Sequence, residues 1–172
     1  MVDTALIEVS IADQQLRYTD EQHCVSYPVS TATLGAGQQA GSWQTPVGWH
    51  RVRACIGHGQ PSNRVFVGRR PTPEVYSSAL AQQHPERDWI LTRILWLQGL
   101  EVGFNRGGQV DTMRRFIYIH GCPDSEPMGV PHSHGCIRMR NDDVLDLFAR
   151  VSAGTLVWIQ PHSFQSIPCR LL

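Results

Sequence analysis

From Leu6 to Ile11 the chain alternates apolar and polar residues, and after Ala12-Asp13-Gln14-Gln15 the pattern returns in Leu16-Arg17-Tyr18. Period-two patterning lets one face of a strand be buried, and two such runs joined by a short polar stretch predict a β-hairpin. Cys24-Val25-Ser26-Tyr27-Pro28-Val29-Ser30 continues the pattern, with Pro28 pointing to an edge strand or a bulge. Leu34 to Trp43 is rich in Gly, Ala and Gln and reads as a mobile loop. It leads into Thr45-Pro46-Val47-Gly48, a turn that feeds a strand through Val52. Pro61, Pro71, Pro73 and Pro85 interrupt the stretch up to Asp88, which predicts an irregular insertion. Trp89 to Leu97 is a near-continuous apolar run and reads as a buried strand, and Arg115-Phe116-Ile117-Tyr118-Ile119 as another that ends at His120. The one helical pattern is Asn141 to Val151, with Asn141 as N-cap, Asp142 and Asp143 at the positive end of the helix, and Val144, Leu147, Phe148 and Val151 on one face. Thr155-Leu156-Val157-Trp158-Ile159 closes the chain as a last strand, and no repeat, low-complexity tract or linker divides residues 1–172, so a single domain is expected.

At 172 residues such a domain buries about 70% of its unfolded surface and needs neither metal nor disulfide to fold. Its formal net charge is zero, which excludes the broad positive field that gathers nucleic acid or anionic membrane. All 15 basic residues are Arg. The five cysteines Cys24, Cys55, Cys122, Cys136 and Cys169 are odd in number and scattered, which argues against a disulfide framework and favours a reducing compartment. Met1 to Ser10 carries Asp3 and Glu8 and has neither the basic start nor the apolar stretch of about 7 to 15 residues of an export signal, so a cytoplasmic location is expected if Met1 is the natural start. No run approaches the ~18 apolar residues of a membrane span.

The chemistry concentrates in Ile119-His120-Gly121 and Ser133-His134-Gly135-Cys136-Ile137-Arg138-Met139. His120 ends an apolar strand and Cys136 lies on a Gly-containing turn before a helix, places where a rigid scaffold presents reactive groups. A thiol with pKa near about 8.5 needs a neighbouring base to become a nucleophile, and both His120 and His134 qualify. Gly135 lets backbone N–H groups approach a reacting carbonyl, and one such donor is worth about 2.7 to 4 kcal/mol of barrier. Two other readings stand beside this one. His120, Cys122, His132, His134 and Cys136 include enough donors for a zinc site, although their spacings are shorter than usual for structural zinc. Any cysteine, and Cys24, Cys55 and Cys169 above all, can be a small buried hydrophobe. His50, His58, His84 and His162 have no sequence partner and read as ordinary residues.

Together the two motifs resemble the signature of the L,D-transpeptidase catalytic (YkuD) family, with weaker agreement at Ile7 to Tyr18, Tyr27 to Thr31 and Thr45 to Gly48 that extends the likeness over Leu6 to Gln160. The short gap from Gly121 to Ser133 and the stretch from Pro61 to Asp88 depart from the family's pattern. The resemblance implies a mainly β fold, a YkuD-like β-sandwich with a short C-terminal helix packed on it. It implies that Cys136 attacks the bond between meso-diaminopimelate and D-Ala in a peptidoglycan tetrapeptide stem, forming a thioester without any cofactor. It makes His120 the base and Gly121 the carbonyl that orients it, and it places His134, Gly135 and Cys136 at the oxyanion site. Ser133 holds the loop, Arg138 buttresses the site or meets a substrate carboxylate, and Arg93, Arg106, Arg114 and Arg115 are further carboxylate candidates. It also implies that a carbapenem acylates Cys136.

The motif leaves the acceptor open. Water gives an L,D-carboxypeptidase, which suits a cytoplasmic enzyme of muropeptide recycling, and an amine gives a transpeptidase that forms cross-links in the envelope. A module that binds stem peptides or metal without turnover is the alternative of another class.

Overall fold

The computed structural model describes residues 5–165. Alternation builds its first hairpin from β1 (Leu6–Ser10) and β2 (Gln15–Thr19), and β3 (Cys24–Pro28) pairs antiparallel to β2. The strands β4 (Gly48–Ile56), β5 (Arg64–Val67), β6 (Arg70–Val75), β7 (Ile90–Gly99), β8 (Tyr118–Gly121), β9 (Ile137–Met139) and β10 (Leu156–Gln160) follow. All ten belong to one hydrogen-bonded sheet in the order β3-β2-β1-β10-β4-β7-β5-β6, with β8 on β7 and β9 on β8. The expected mainly β architecture is therefore present, its layers being parts of one curled sheet with a helix packed on it. The helix α2 (Asn141–Arg150) contributes Val144 and Leu147 to the core, where they meet Ile7, Val9, Leu16, Leu95, Leu97, Ile119, Ile137, Met139, Val157 and Ile159. Each fully buried aliphatic side chain of this kind contributes about 1.5–3 kcal/mol.

Several sequence expectations change. The stretch read as irregular folds into the β5–β6 hairpin and a six-residue helix, α1 (Ser78–Gln83). Arg115 and Phe116 lie in a turn instead of a strand, Phe116 having φ 57°, and β8 begins only at Tyr118. Asn141 is not the cap of α2. Arg140 occupies that position without a side-chain cap, and the buried Asn141 side chain serves tertiary contacts instead. The loop after Leu34 is not loose, because Gly37 N–H donates to Thr45 O at 2.9 Å and Arg115 binds its carbonyls. Cys55, Cys122 and Cys136 are free thiols, whereas Cys24 is disulfide-bonded and so departs from the expected buried thiol. Met1, part of the N-terminal reading, and Cys169 lie outside the described residues.

The parallel pair β8 and β9 sets His120 opposite Arg138 and Ile119 opposite Ile137. Side chains alternate across a sheet. Since Ile119, Ile137 and Met139 enter the core, Tyr118, His120, Cys136 and Arg138 emerge together on the other face.

Candidate active site

His120 is almost wholly buried, and its Nδ1–H donates to the carbonyl oxygen of Gly121 at 2.7 Å. A carbonyl only accepts, so this bond fixes the neutral tautomer with its lone pair on Nε2. Burial pushes the imidazole down to about 4, against the smaller opposing pull of the Gly121 carbonyl. Behind the pair, Gly121 has no room for a side chain. A Cβ would lie 2.6 Å from Asn141 Oδ1 and 2.8 Å from Leu91 O. That crowding is why a glycine follows His120.

The Cys136 thiol accepts from the Tyr118 N–H at 3.3 Å and donates to Phe116 O at 3.5 Å. Burial pushes it up to about 12, while the Tyr118 N–H and the more distant charges of Arg138 and Arg115 pull the other way and Asp88 adds to the rise. At neutral pH the two side chains therefore rest as thiol and neutral imidazole, so attack by this sulfur would require its proton to be removed as the bond forms.

Gly135 sits at φ 131°, a backbone region that L side chains rarely enter. Its N–H donates to Ser133 Oγ at 3.2 Å, its carbonyl accepts from Thr45 Oγ1 at 2.9 Å, and Ser133 Oγ donates to Cys136 O at 2.5 Å. The Gly135 amide is thus engaged within the turn and unavailable to an oxyanion in this state. The amides of His134 and Cys136 have no acceptor among the described residues. Thr45, from the Thr-Pro-x-Gly turn, belongs to the site's support and was recognised only as a turn residue.

The His134 ring is exposed, 3.7 Å from Asp88 Oδ2 and edge-on to Trp43 with ring centroids 5.7 Å apart. It lies where two clefts meet. A cleft of about 510 Å³ is lined by Trp43, Asp111, Arg114, Arg115 and Ile117, and a more polar one of about 310 Å³ by Asp88, Glu126, His132 and Arg138. Arg138 is buried and already paired with Asp88 at 2.9 Å and Glu126 at 3.1 Å, and it donates to His132 O. Arg115, one of the carboxylate candidates, spends its donors on the carbonyls of Gly37, Gln38 and Gln44. Arg114 lines the larger cleft, Arg93 lies elsewhere, beside α2, and Arg106 is exposed and lines neither cleft. Asp88 escaped sequence reasoning because it ends the stretch that carried no pattern. Cys122 is buried, donates to Met139 O and is raised to about 12 by burial, so it is not the accessible rival its closeness to His120 in sequence suggests. Among the described residues no group of three or more His, Cys, Asp or Glu is gathered as a metal ion would need.

A curled sheet carrying a cysteine and a tautomer-fixed histidine on one face matches a class already known. The profile described as the L,D-transpeptidase catalytic domain (YkuD) matches residues 4–159, and the chain belongs to that family. The chain is 41% identical over 68 residues to the putative L,D-transpeptidase YqjB of Bacillus subtilis (strain 168), a match covering 38% of this chain and 37% of that protein. Over 56 residues it is 43% identical to the probable L,D-transpeptidase ErfK/SrfK of Escherichia coli (strain K12), covering 31% of this chain and 18% of that one. These matches span well under half of either relative. In overall fold the chain resembles L,D-transpeptidase 3 from Mycobacterium tuberculosis in complex with a faropenem-derived adduct, with a TM-score of 0.54 at 16% identity over 92% of this chain and 60% of that one. Bdellovibrio bacteriovorus Bd1075 gives a TM-score of 0.55 at 16% identity, covering 93% and 49%.

Proposed function

We propose that this chain is a cysteine acyl-transfer enzyme that opens the meso-diaminopimelate–D-Ala bond of a peptidoglycan tetrapeptide stem. The observation that carries the reading is that Cys136, just before β9, and His120, on β8, face the same side of this strand pair, with His120 Nδ1 tied to Gly121 O and the lone pair left on Nε2. As Sγ attacks the carbonyl carbon, its proton passes to His120 Nε2, and the oxyanion meets the amides of His134 and Cys136. The C–N bond then breaks, D-Ala leaves with the proton from His120, and a Cys136 thioester remains. Ser133 and Thr45 hold the turn, and Arg138 holds the Asp88 and Glu126 side of the cleft.

Water arriving at the thioester, activated by His120, returns the free thiol and releases a tripeptide. This L,D-carboxypeptidase reading goes with a role in muropeptide recycling in the cytoplasm. The second reading is cross-linking, in which an amine takes the acyl group. Two observations favour it: the separate polar cleft beside His134, with Asp88 and Glu126 suited to an ammonium group, and the Cys24 disulfide, a state that oxidising compartments maintain.

Incubation with a soluble tetrapeptide muropeptide should yield tripeptide and free D-Ala. Cross-linked dimers as the main product, with the protein fractionating to the envelope, would replace hydrolysis by cross-linking. Cys136→Ala should abolish either product without unfolding the domain. Turnover that survives this change, or a carbapenem mass adduct mapping to Cys122, would remove Cys136 from its role.

A further inference from the structure

Away from the two clefts, and sharing no lining residue with them, a cavity of about 580 Å³ lies between α2 and the loop after β4. Its volume falls within the range of small-molecule sites. Leu145, Phe148, Ala149 and Val151 give it an apolar wall, and Cys55 and Arg93 line it as well. Arg93 comes from the bulge where the pairing of β7 with β8 shifts between Leu91 and Ile94. It is only 9% exposed.

The guanidinium of Arg93 lies 5.3 Å over the Phe148 ring. Its Nη1 donates to the carbonyls of Gln60 and Thr92, but its Nε is buried without an acceptor. No carboxylate among the described residues forms an ion pair with it. Buried cations are normally paired, because an uncompensated charge out of water is costly. The donor left over for a ligand is Nη2, which makes no hydrogen bond among the described residues and, unlike Nε, is not sealed inside the protein; a guanidinium N–H of this kind makes a strong charge-assisted bond to a carboxylate.

We infer that this cavity binds an organic monocarboxylate with an apolar body, its carboxylate on Nη2 of Arg93 and its carbon chain against Phe148 and Leu145. The counter-ion missing from the fold is then supplied by the ligand. The apolar wall beside the charge selects an amphipathic anion over a bare inorganic one.

Octanoate and 4-phenylbutyrate are the probes, titrated into the whole protein and followed by calorimetry and by amide shifts of α2. Both should bind saturably, with their uncharged amides and inorganic phosphate failing. Octanoate should also protect Cys55, mapped by peptide mass, from alkylation. Arg93→Gln should weaken octanoate binding by about ten-fold or more, the equivalent of losing a charged hydrogen bond. Because that change touches a buried position, Ala149→Trp serves as the second variant: it starts from an exposed helix position, leaves Arg93 in place and should fill the cavity and abolish binding. Cys136→Ala should bind octanoate as the unmodified protein does. Equal binding of the amides, competition by phosphate alone, or undiminished binding in Ala149→Trp would overturn the assignment.

Discussion

Gly135 turns the chain between Ser133, whose hydroxyl accepts its N–H, and Cys136, whose thiol rests on the backbone of Phe116 and Tyr118. Its φ of 131° lies in the region that favours glycine, and a Cβ would stand 3.2 Å from Ile117 Cδ1 and 3.4 Å from Gln44 O. Gly135→Ala therefore meets both backbone strain and a tight wall. Positions of this kind cost on the order of 1–3 kcal/mol when a side chain is forced into them. The strain also reaches the next residue, because relaxing φ at 135 rotates the Cys136 amide away from where an oxyanion would form. Urea unfolding should show a loss of about that size, and D-Ala release should fall about 100-fold or more, the worth of one displaced oxyanion donor. A variant that loses stability but keeps full turnover would show that the turn serves the fold alone. At this scale the sequence was informative: Cys136, His120 and Gly135 stood out because each residue type is suited to a step of acyl transfer. What it could not show is where individual N–H groups point, and so the engaged Gly135 amide was out of reach.

β7 and α2 meet through Asn141, whose side chain accepts from Thr92 Oγ1 and donates to Cys122 O at 2.9 Å. Thr92 lies in the β7 bulge with φ 71°, and Cys122 follows the His120-Gly121 pair, so one amide ties the helix start, the bulge and the end of β8 together. Asn141→Ala leaves buried partners unsatisfied, each costing about 1–3 kcal/mol. We expect a lowered urea midpoint with an unchanged slope, and slower alkylation of Cys136 as the His120 end of β8 loosens. An unchanged midpoint would mean that water replaces the amide. The same residue marks how far pattern reading goes. Asn before an acidic first turn is a good cap by composition, but tertiary partners claimed its side chain, and no local signal announces that. Likewise, β1, β2, β4, β7 and β10 were legible because one or both of their faces are buried. β6 (RPTPEV) was not: it is the last strand in the sheet order, and an edge tolerates Pro71 and Pro73, which pattern rules count as breakers. With that hairpin and the short α1 hidden, Asp88 was hidden as well.

Two histidines are kept neutral inside the molecule, and together they should set how the whole fold responds to acid. His50 is fully buried, donating through Nδ1 to Gly48 O at 2.9 Å and accepting at Nε2 from Thr112 Oγ1 at 3.1 Å, and burial lowers it to about 4. His120 is lowered to about 4 for the same reason. In the unfolded chain both return to the ordinary imidazole value near about 6.5. Between about 6.5 and about 4 the unfolded chain therefore binds protons that the folded protein refuses, and stability rises with pH across that window. The contribution is complete above about 6.5 and lost as pH falls toward about 4, on the order of 3 kcal/mol for each histidine. Chemical denaturation from pH 8 to pH 4 should show a plateau and then a decline. His50→Gln should remove about half of the decline. The proposed base follows the same sign: His120 stays neutral well below the usual imidazole range, so, if it takes the Cys136 proton, the acid limb of turnover should lie near its lowered pKa, where the fold itself is weakening. A limb near pH 6.5 in a protein still fully folded at that pH would mean that the group titrating in catalysis is not the buried His120.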